Sequence, residues 1–379
     1  MQLSVIILNY NVRYFLEQCV DSVQKALEKI DGEIIVVDNN SQDESCAMIK
    51  QLFPKVILIE NKENLGFPKG NNLGVAVAKG EFICILNPDT VVAEDTFTKV
   101  LAFAKKQVDL GIIGVKLIDG TGNFLPESKR GVPTPWVSFT KITALYKLFP
   151  TVGLFNQYYA QDLSENTTGK VAILVGAFMV MKRDLYTEIG GFDENCFMYS
   201  DDIDLSYMVL KKGKSNYYFH ETSVIHYKGE STIKDGTYMK RFQEAMNFFY
   251  NKHFKVSFIF SIFMEIGILF FAFAKMFQGK TKLRLLPTKY LLISDNEDLR
   301  MKIEVKVNQK VVIQKTIDKL QIPEETEIIL DANYINFKSI IAAFESSRMK
   351  NFTYKIVSQN ADFIIGSNSA NDRGEVILI

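Results

Sequence analysis

The sequence predicts an α/β fold: a mostly parallel central sheet with flanking helices, followed by a hydrophobic helical segment and a small C-terminal α/β module. Two observations lead there. Over the first hundred of 379 residues, short apolar runs alternate with longer amphipathic stretches, the pattern of right-handed βαβ units. The fourth run, FICIL at 82–86, is apolar at every position, as a strand buried on both faces must be.

Taken in order, strands are expected at 3–8, 34–37, 56–59 and 82–86, and helices at about 14–30, 43–52 and 69–78. Ser41 followed by Glu44 has the spacing of a capping box for the second helix. From Gly111 to about Thr168 the pattern loosens, with Gly120, Gly122, Pro126, Pro133 and Pro135 marking turns. An irregular stretch of this length is expected to be a functional flap. Trp136, the only tryptophan, lies in it, as a platform for a sugar ring or as ordinary packing. A strand at 171–181, a helix at 184–189, a Gly190-Gly191 break and an acidic segment around Asp201 follow.

Residues 256–277, VSFIFSIFMEIGILFFAFAKMF, are long enough for a bilayer span, which needs about 20 apolar residues. Glu265 sits near the centre and shares a helix face with Ser257 and Ser261, while Lys252, Lys255, Lys275, Lys280, Lys282 and Arg284 flank the stretch. Three geometries stay open: an interfacial helix on an anionic inner leaflet, a span or re-entrant hairpin, and a buried packing helix. Contact with a membrane surface is the expectation. Beyond it, strands at 289–294, 303–307, 327–330, 353–357 and 376–378 and a helix at 337–347 compose the C-terminal module, with Gly366 expected in a turn. The expected units are therefore 1–250, 251–285 and 286–379.

Lys+Arg and Asp+Glu both total 44, a balance that argues against a nucleic-acid binder. Four cysteines without C-x-x-C spacing point to reduced, cytoplasmic thiols. The opening LSVIIL has no basic segment before it, so no cleaved signal peptide is expected.

Polar residues gather where the expected strands end. Asn9, Tyr10 and Asn11 follow the first, Asp38, Asn39, Asn40 and Ser41 the second, and Asn87, Pro88 and Asp89 the fourth. Open α/β sheets bind ligands at that edge. Asp89 is placed there to hold a divalent cation on phosphate oxygens, or simply to begin a turn. Asp38 is suited to accept from a pyrimidine imide N–H, and Tyr10 offers a stacking face. Asn64, Gly66, Lys69 and Asn71, in NLGFPKGNNLG, precede or open a helix, where backbone N–H groups and a lysine can meet phosphate.

The segments SVIILNYN, VVDNNSQDES, NLGFPKGNN and LNPDT, then LVGAFMVMKRDLYTEIGGFDE, MYSDDIDLSYMVLKKG and VIHYKGEST, resemble in order those of family 2 glycosyltransferases with the GT-A fold. The resemblance covers roughly residues 1–250. N-P-D in place of D-x-D is similar to the bacterial rhamnosyltransferase-like branch. It implies that Asp89 is a metal ligand, with Asn87 replacing the first acid, and that His226 completes a site for Mn2+ or Mg2+ and diphosphate. Asp201 and Asp202 match the family's acidic pair, with Asp202 as general base. Asp201 departs from the usual Glu, and Met208 stands where a basic residue often follows, leaving Lys211 or Lys212 as substitutes. Gly176, Ala177 and Phe178 match the acceptor-side strand. The implied activity is inverting, metal-dependent transfer from a nucleotide-diphosphate sugar, a dTDP- or UDP-sugar, to a saccharide or lipid-linked acceptor. The implied setting is cell-surface polysaccharide synthesis at the cytoplasmic face of the cell membrane. A catalytically inactive scaffold is the rival, and it has no need of Asp89, Asp202 and His226 together. A nucleotidyltransferase would need a basic glycine loop where Asn9-Tyr10-Asn11 stands.

Overall fold

A computed structural model describes residues 1–142, 145–149, 152–155, 157–228, 236–254, 287–317, 322–346, 352–359, 361–368 and 374–379. β1 (Leu3–Asn9) lies inside the first sheet, parallel to β2 (Gly32–Asp38) on one side and to β4 (Phe82–Leu86) on the other. β3 (Ile57–Glu60) extends the parallel part beyond β2. Past β4 the sheet turns mixed. β8 (Phe178–Lys182) runs antiparallel to β4 and to β6 (Leu110–Ile118). β9 (Ser215–His226) runs parallel to β6, and β5 (Thr90–Val91) and β7 (Gly169–Val171) pair with β9. The strand order is β3-β2-β1-β4-β8-β6-β9-β5.

Helices cover both faces because their apolar residues recur at helical spacing. On α1 (Arg13–Leu27), Leu16, Cys19, Val20 and Val23 pack against Leu3, Val5 and Ile7. α3 (Gly66–Val77) lies so close to the sheet that a Cβ on Gly70 or Gly74 would come within 2.4 Å of Leu8 or 2.6 Å of Ile6. The capping box does not form. α2 (Ser45–Leu52) begins after Glu44, which is left-handed at φ 64, with no side-chain cap. Ser41 Oγ instead accepts from the Asn11 N–H and the Asn9 amide, because it belongs to the sheet edge. The strand expected over 171–181 is broken into β7 and β8. Between them Ile173 exchanges backbone hydrogen bonds with Arg130 rather than with a neighbouring strand.

A second sheet has the order β11-β10-β12-β13-β14-β15, with β10 (Lys289–Ile293), β11 (Val311–Gln314), β12 (Thr326–Asp331), β13 (Thr353–Val357), β14 (Phe363–Gly366) and β15 (Glu375–Leu378). Residues 303–307 form no strand, and Gly366 closes one rather than marking a free turn. IEVKV lies at the end of a helix (Glu297–Val307) that Asn296 caps through the Leu299 N–H and that buries Leu299 and Ile303 one turn apart. The second helix of this part, Phe337–Glu345, packs on the first sheet's flank. Leu291, Ile328, Phe337, Phe344 and Ile356 share one apolar cluster with Val12, Phe15, Val91, Ile225 and Tyr227. The hydrophobic stretch 256–277 lies outside the described residues, and among those described no helix is long and apolar enough to cross a membrane.

Candidate active site

The parallel register sets Asn9 opposite Asp38 and carries Leu86 to the same sheet edge. Asp38 is only 2% exposed. Its Oδ2 accepts from the Asn9 amide at 2.7 Å and its Oδ1 from the Ser41 N–H at 2.8 Å. Asn9 is fully buried, so it acts by aiming Asp38 and does not itself line an open surface. Tyr10 is half exposed beside it. Asn11 and Asn40 adopt left-handed φ of 55° and 65°, a conformation asparagine tolerates well.

The loop at 64–74 differs from the phosphate cradle expected of it. The Gly66 N–H already donates to Asn64 Oδ1, and the Phe67 N–H to the Phe197 carbonyl. Gly66, at φ +80, leaves room for Phe197, since a Cβ there would approach its ring within 2.8 Å. Asn71 donates to the Phe67 carbonyl within the same helix, and Lys69 is exposed. The glycines thus serve close packing, and the first two N–H groups of α3 have protein partners.

At the end of β4, Asn87 donates its N–H to the Ala177 carbonyl, tying the turn to β8. Pairing of β5 with β9 sets Thr90 opposite His226 and brings Asp89 beside the imidazole. His226 Nε2 lies 3.4 Å from Asp89 Oδ1 and 3.3 Å from Asn87 Nδ2. Both side chains are more than nine-tenths buried, yet Asp89 Oδ1 and His226 Nδ1 have no hydrogen-bond partner. A buried carboxylate oxygen left this way is costly, and a cation would satisfy it. Ligand atoms at about 2.1 Å from a shared Mg2+ or Mn2+ lie about 3 Å apart, close to the separation seen. Among the described residues no group of three or more His, Cys, Asp or Glu is positioned to hold a metal. The remaining ligands would have to come from phosphate and water.

α4 (Asp201–Lys211) opens on the acidic pair, 7% and 8% exposed. Tyr199 just ahead of it is held at φ 79 and Lys228, just past His226, at φ 64. Such backbone costs about 1 kcal/mol or more per residue and gathers at functional sites. Burial, then the charge of Asp202, push the Asp201 carboxyl up to about 7. Asp202 Oδ2 accepts from Arg130 Nη2 at 2.5 Å and from the Gly176 N–H at 3.1 Å. Gly176 therefore sits at the acidic pair, a Cβ added there falling 3.4 Å from the Asp202 Cβ.

Lys211 and Lys212 do not replace the missing basic residue. Lys212 pairs with Glu188 and Lys211 with His253, because both lie at the far end of α4. The cation comes from the flap instead. Arg130 is 11% exposed. Burial opposes its charge, and Asp202, Tyr158 and Glu127 more than restore it. Glu127 joins Lys228 at 2.5 Å. Burial would raise the Glu127 carboxyl, and the Lys228 ammonium overrides it, leaving it below the usual range. Lys141 stands 3.6 Å from the centre of the Tyr158 ring. Sequence reasoning missed Glu127, Arg130, Lys141, Tyr158 and Lys228; the only trace was a Lys129-Arg130 pair inside a Pro- and Gly-marked flap. Trp136 packs on Phe155 at 6.0 Å and donates to the Leu154 carbonyl.

The family described as Glycosyl transferase family 2 matches residues 4–190. Residues 4–190 belong to family 2 of the glycosyltransferases. The first sheet of this glycosyltransferase is accordingly a GT-A fold, and the match carries Asp38 and Asp89 but stops short of Asp201, Asp202 and His226. A relative in Mycobacterium tuberculosis, N-acetylglucosaminyl-diphospho-decaprenol L-rhamnosyltransferase, is 26% identical over 244 residues, covering 62% of this chain and 78% of that protein. In Bacillus spizizenii, poly(ribitol-phosphate) beta-glucosyltransferase is 26% identical over 273 residues, covering 68% of this chain and 41% of that protein. These relatives put the glycosyltransferase in the rhamnosyltransferase-like branch. Among solved structures, a Pyrobaculum calidifontis mannosyltransferase in complex with GDP-Man and Mn2+ aligns with a TM-score of 0.49 at 17% identity, covering 74% of this chain and 76% of that one.

Proposed function

We propose that this enzyme is an inverting, metal-dependent glycosyltransferase that moves a sugar from a dTDP- or UDP-sugar to a saccharide or lipid-linked acceptor of a cell-surface glycan. One observation carries the reading: a buried, unpartnered Asp89 oxygen lies 3.4 Å from His226 Nε2, on a ligand-binding sheet edge. Residues 1–250 would form the catalytic unit. The hydrophobic stretch 256–277 and its flanking lysines suit a membrane surface at the cytoplasmic face, and 286–379 an accessory role. The two relatives are named for acceptors that carry phosphate, one of them lipid-linked, which supports an acceptor of that kind.

In this reading Asp38, aimed by Asn9, takes the base of the nucleotide, with Tyr10 stacking on it. Asp89 and His226 would hold Mn2+ or Mg2+, and the ion would supply charge neutralisation for the departing diphosphate. Asp202 accepts the proton of the acceptor hydroxyl as its oxygen bonds to the anomeric carbon. The bond from that carbon to the diphosphate breaks, and the electron pair leaves on the phosphate oxygen. Asp201, holding its proton near neutral pH, spares Asp202 a second adjacent charge. The test is release of nucleoside diphosphate from candidate donors with candidate acceptors present. Asp202→Asn should lose roughly a hundredfold or more, the size of a general-base contribution. Equal, slow release by both proteins would point to an inactive scaffold.

A further inference from the structure

Among the described residues the guanidinium of Arg130 is the cation nearest the acidic pair; the Tyr158 hydroxyl is its neighbour too, and one donor of the group stays unused. Nη2 donates to Asp202 Oδ2 at 2.5 Å and, more weakly, to the Leu174 carbonyl at 3.4 Å. Nε on the same edge is buried and has no partner. Asp202 therefore engages one tooth of a two-toothed fork, and arginine forks match phosphate with two parallel N–H···O bonds. A second consequence falls on Asp202. Its Oδ2 already accepts from both Arg130 and the Gly176 N–H, which is a poor condition for a group that must take a proton.

We propose that Arg130 binds a phosphate carried by the acceptor, and that this binding releases Asp202 to act as the base. The proposal rests on the reading of Asp202 given above. Inversion decides which substrate brings the phosphate. The attacking oxygen and the departing diphosphate lie on opposite faces of the anomeric carbon, so a cation paired with the base faces the acceptor and not the leaving group. The surroundings suit an anion. Lys141 comes from the same flap, and Lys129 Nζ braces that flap through the Tyr159 and Ala160 carbonyls at 3.2 and 2.8 Å. The carboxylates nearby are Asp202, Asp201 and Glu127, and Glu127 is already neutralised by Lys228. The acceptor class is thus a saccharide or polyol bearing a phosphate or diphosphate next to the hydroxyl that is glycosylated. Exchange of partners would tie base activation to arrival of the right acceptor and keep the donor from water until then.

Isothermal titration of the full chain with inorganic phosphate and, separately, with UDP and Mg2+ tests this without any transfer assay. Arg130→Gln should weaken phosphate binding roughly tenfold or more, the value of a charge-assisted two-point contact, and leave UDP binding unchanged. Asp202→Asn should strengthen phosphate binding, because the competing carboxylate is gone; a merely structural arginine would not produce that gain. The double variant removes both buried charges, and its melting temperature controls for misfolding of Arg130→Gln. Unchanged phosphate affinity in both single variants, or no phosphate binding by the wild type, overturns the proposal. A selective loss of UDP affinity in Arg130→Gln assigns the arginine to the donor and also overturns it. Failure of the base assignment would be seen elsewhere, as Asp202→Asn turning over donor like the wild type.

Discussion

Asp89 was recognisable from its place at the end of an apolar run, next to a turn, and His226 from the likeness of VIHYKGEST to a motif of the family. The 3.4 Å between them was not, since 136 residues of chain lie between and only the pairing of β5 with β9 closes the gap. Asn87 supplies an amide and no charge, so Asp89 is the only carboxylate this turn offers a cation. Asp89→Ala should abolish Mn2+ binding by electron paramagnetic resonance titration and lower transfer on the order of a hundredfold or more, with the melting temperature near wild type. Full Mn2+ binding by that variant would remove the assignment. Arg130 had no comparable signal: its partner is 72 residues away, and nothing in a flap's composition tells which of its cations turns inward.

At the scale of elements, local rules succeeded where an element's partners are its own neighbours. The helix at Phe337–Glu345 was legible from its apolar spacing, but its start is completed from the other sheet. Glu94 accepts from the Phe337 N–H at 2.7 Å and the Lys338 N–H at 2.9 Å, while Asn336 takes the Ser339 N–H. Two N–H groups and a helix dipole on one carboxylate imply that Glu94→Ala costs about 1–2 kcal/mol. Denaturant unfolding would show it, together with faster amide exchange over the first turn of that helix. A change of only a few tenths, roughly that of an ordinary surface substitution, would mean the cap is idle. The misread segment at 303–307 teaches the converse. Its alternating Ile, Val and Val suit a strand, yet the Asn296 cap and the ion pairs of Arg300 with Glu297 and Glu304 commit the chain to a helix first.

For the whole molecule, the docking of the second sheet explains α1. Glu17, Gln18, Asp21 and Ser22 are buried polar residues on a helix whose opposite face already covers β1. Gln18 donates to Ser358 Oγ and accepts from the Tyr227 hydroxyl, and Asp21 accepts from the Gln359 N–H. Gly122 lets the two parts approach, since a Cβ there would fall 2.1 Å from the Phe344 carbonyl. Burial, opposed by Arg13, raises Glu17 from 4.5 to about 7, and burial raises Asp21 from 3.8 to about 6. Both folded values lie above the unfolded ones, so the stability these groups lend is complete below about pH 4 and is lost as pH rises through 6 and 7. For Glu17 the loss is at most about 3 kcal/mol. Glu17→Gln should flatten the fall in melting temperature between pH 5 and 8 that the wild type shows. A wild type equally stable across that window would contradict it.

Through its family resemblance the sequence pointed to Asp202 and His226, and by itself it determined the βαβ half of the first sheet and the chain positions of Asp38 and Asp89. Those features depend on strand-length apolar runs and on the polar residues that end them, which are local in the chain. The tertiary structure decided the rest. It broke the 171–181 run to make room for Arg130 and gave the 64–74 glycines to packing. It also supplied the flap cation on Asp202 and buried one face of α1 under a second sheet. Each of these depends on a backbone or charge partner tens to hundreds of residues distant, and a buried polar group takes whichever partner the fold brings to it.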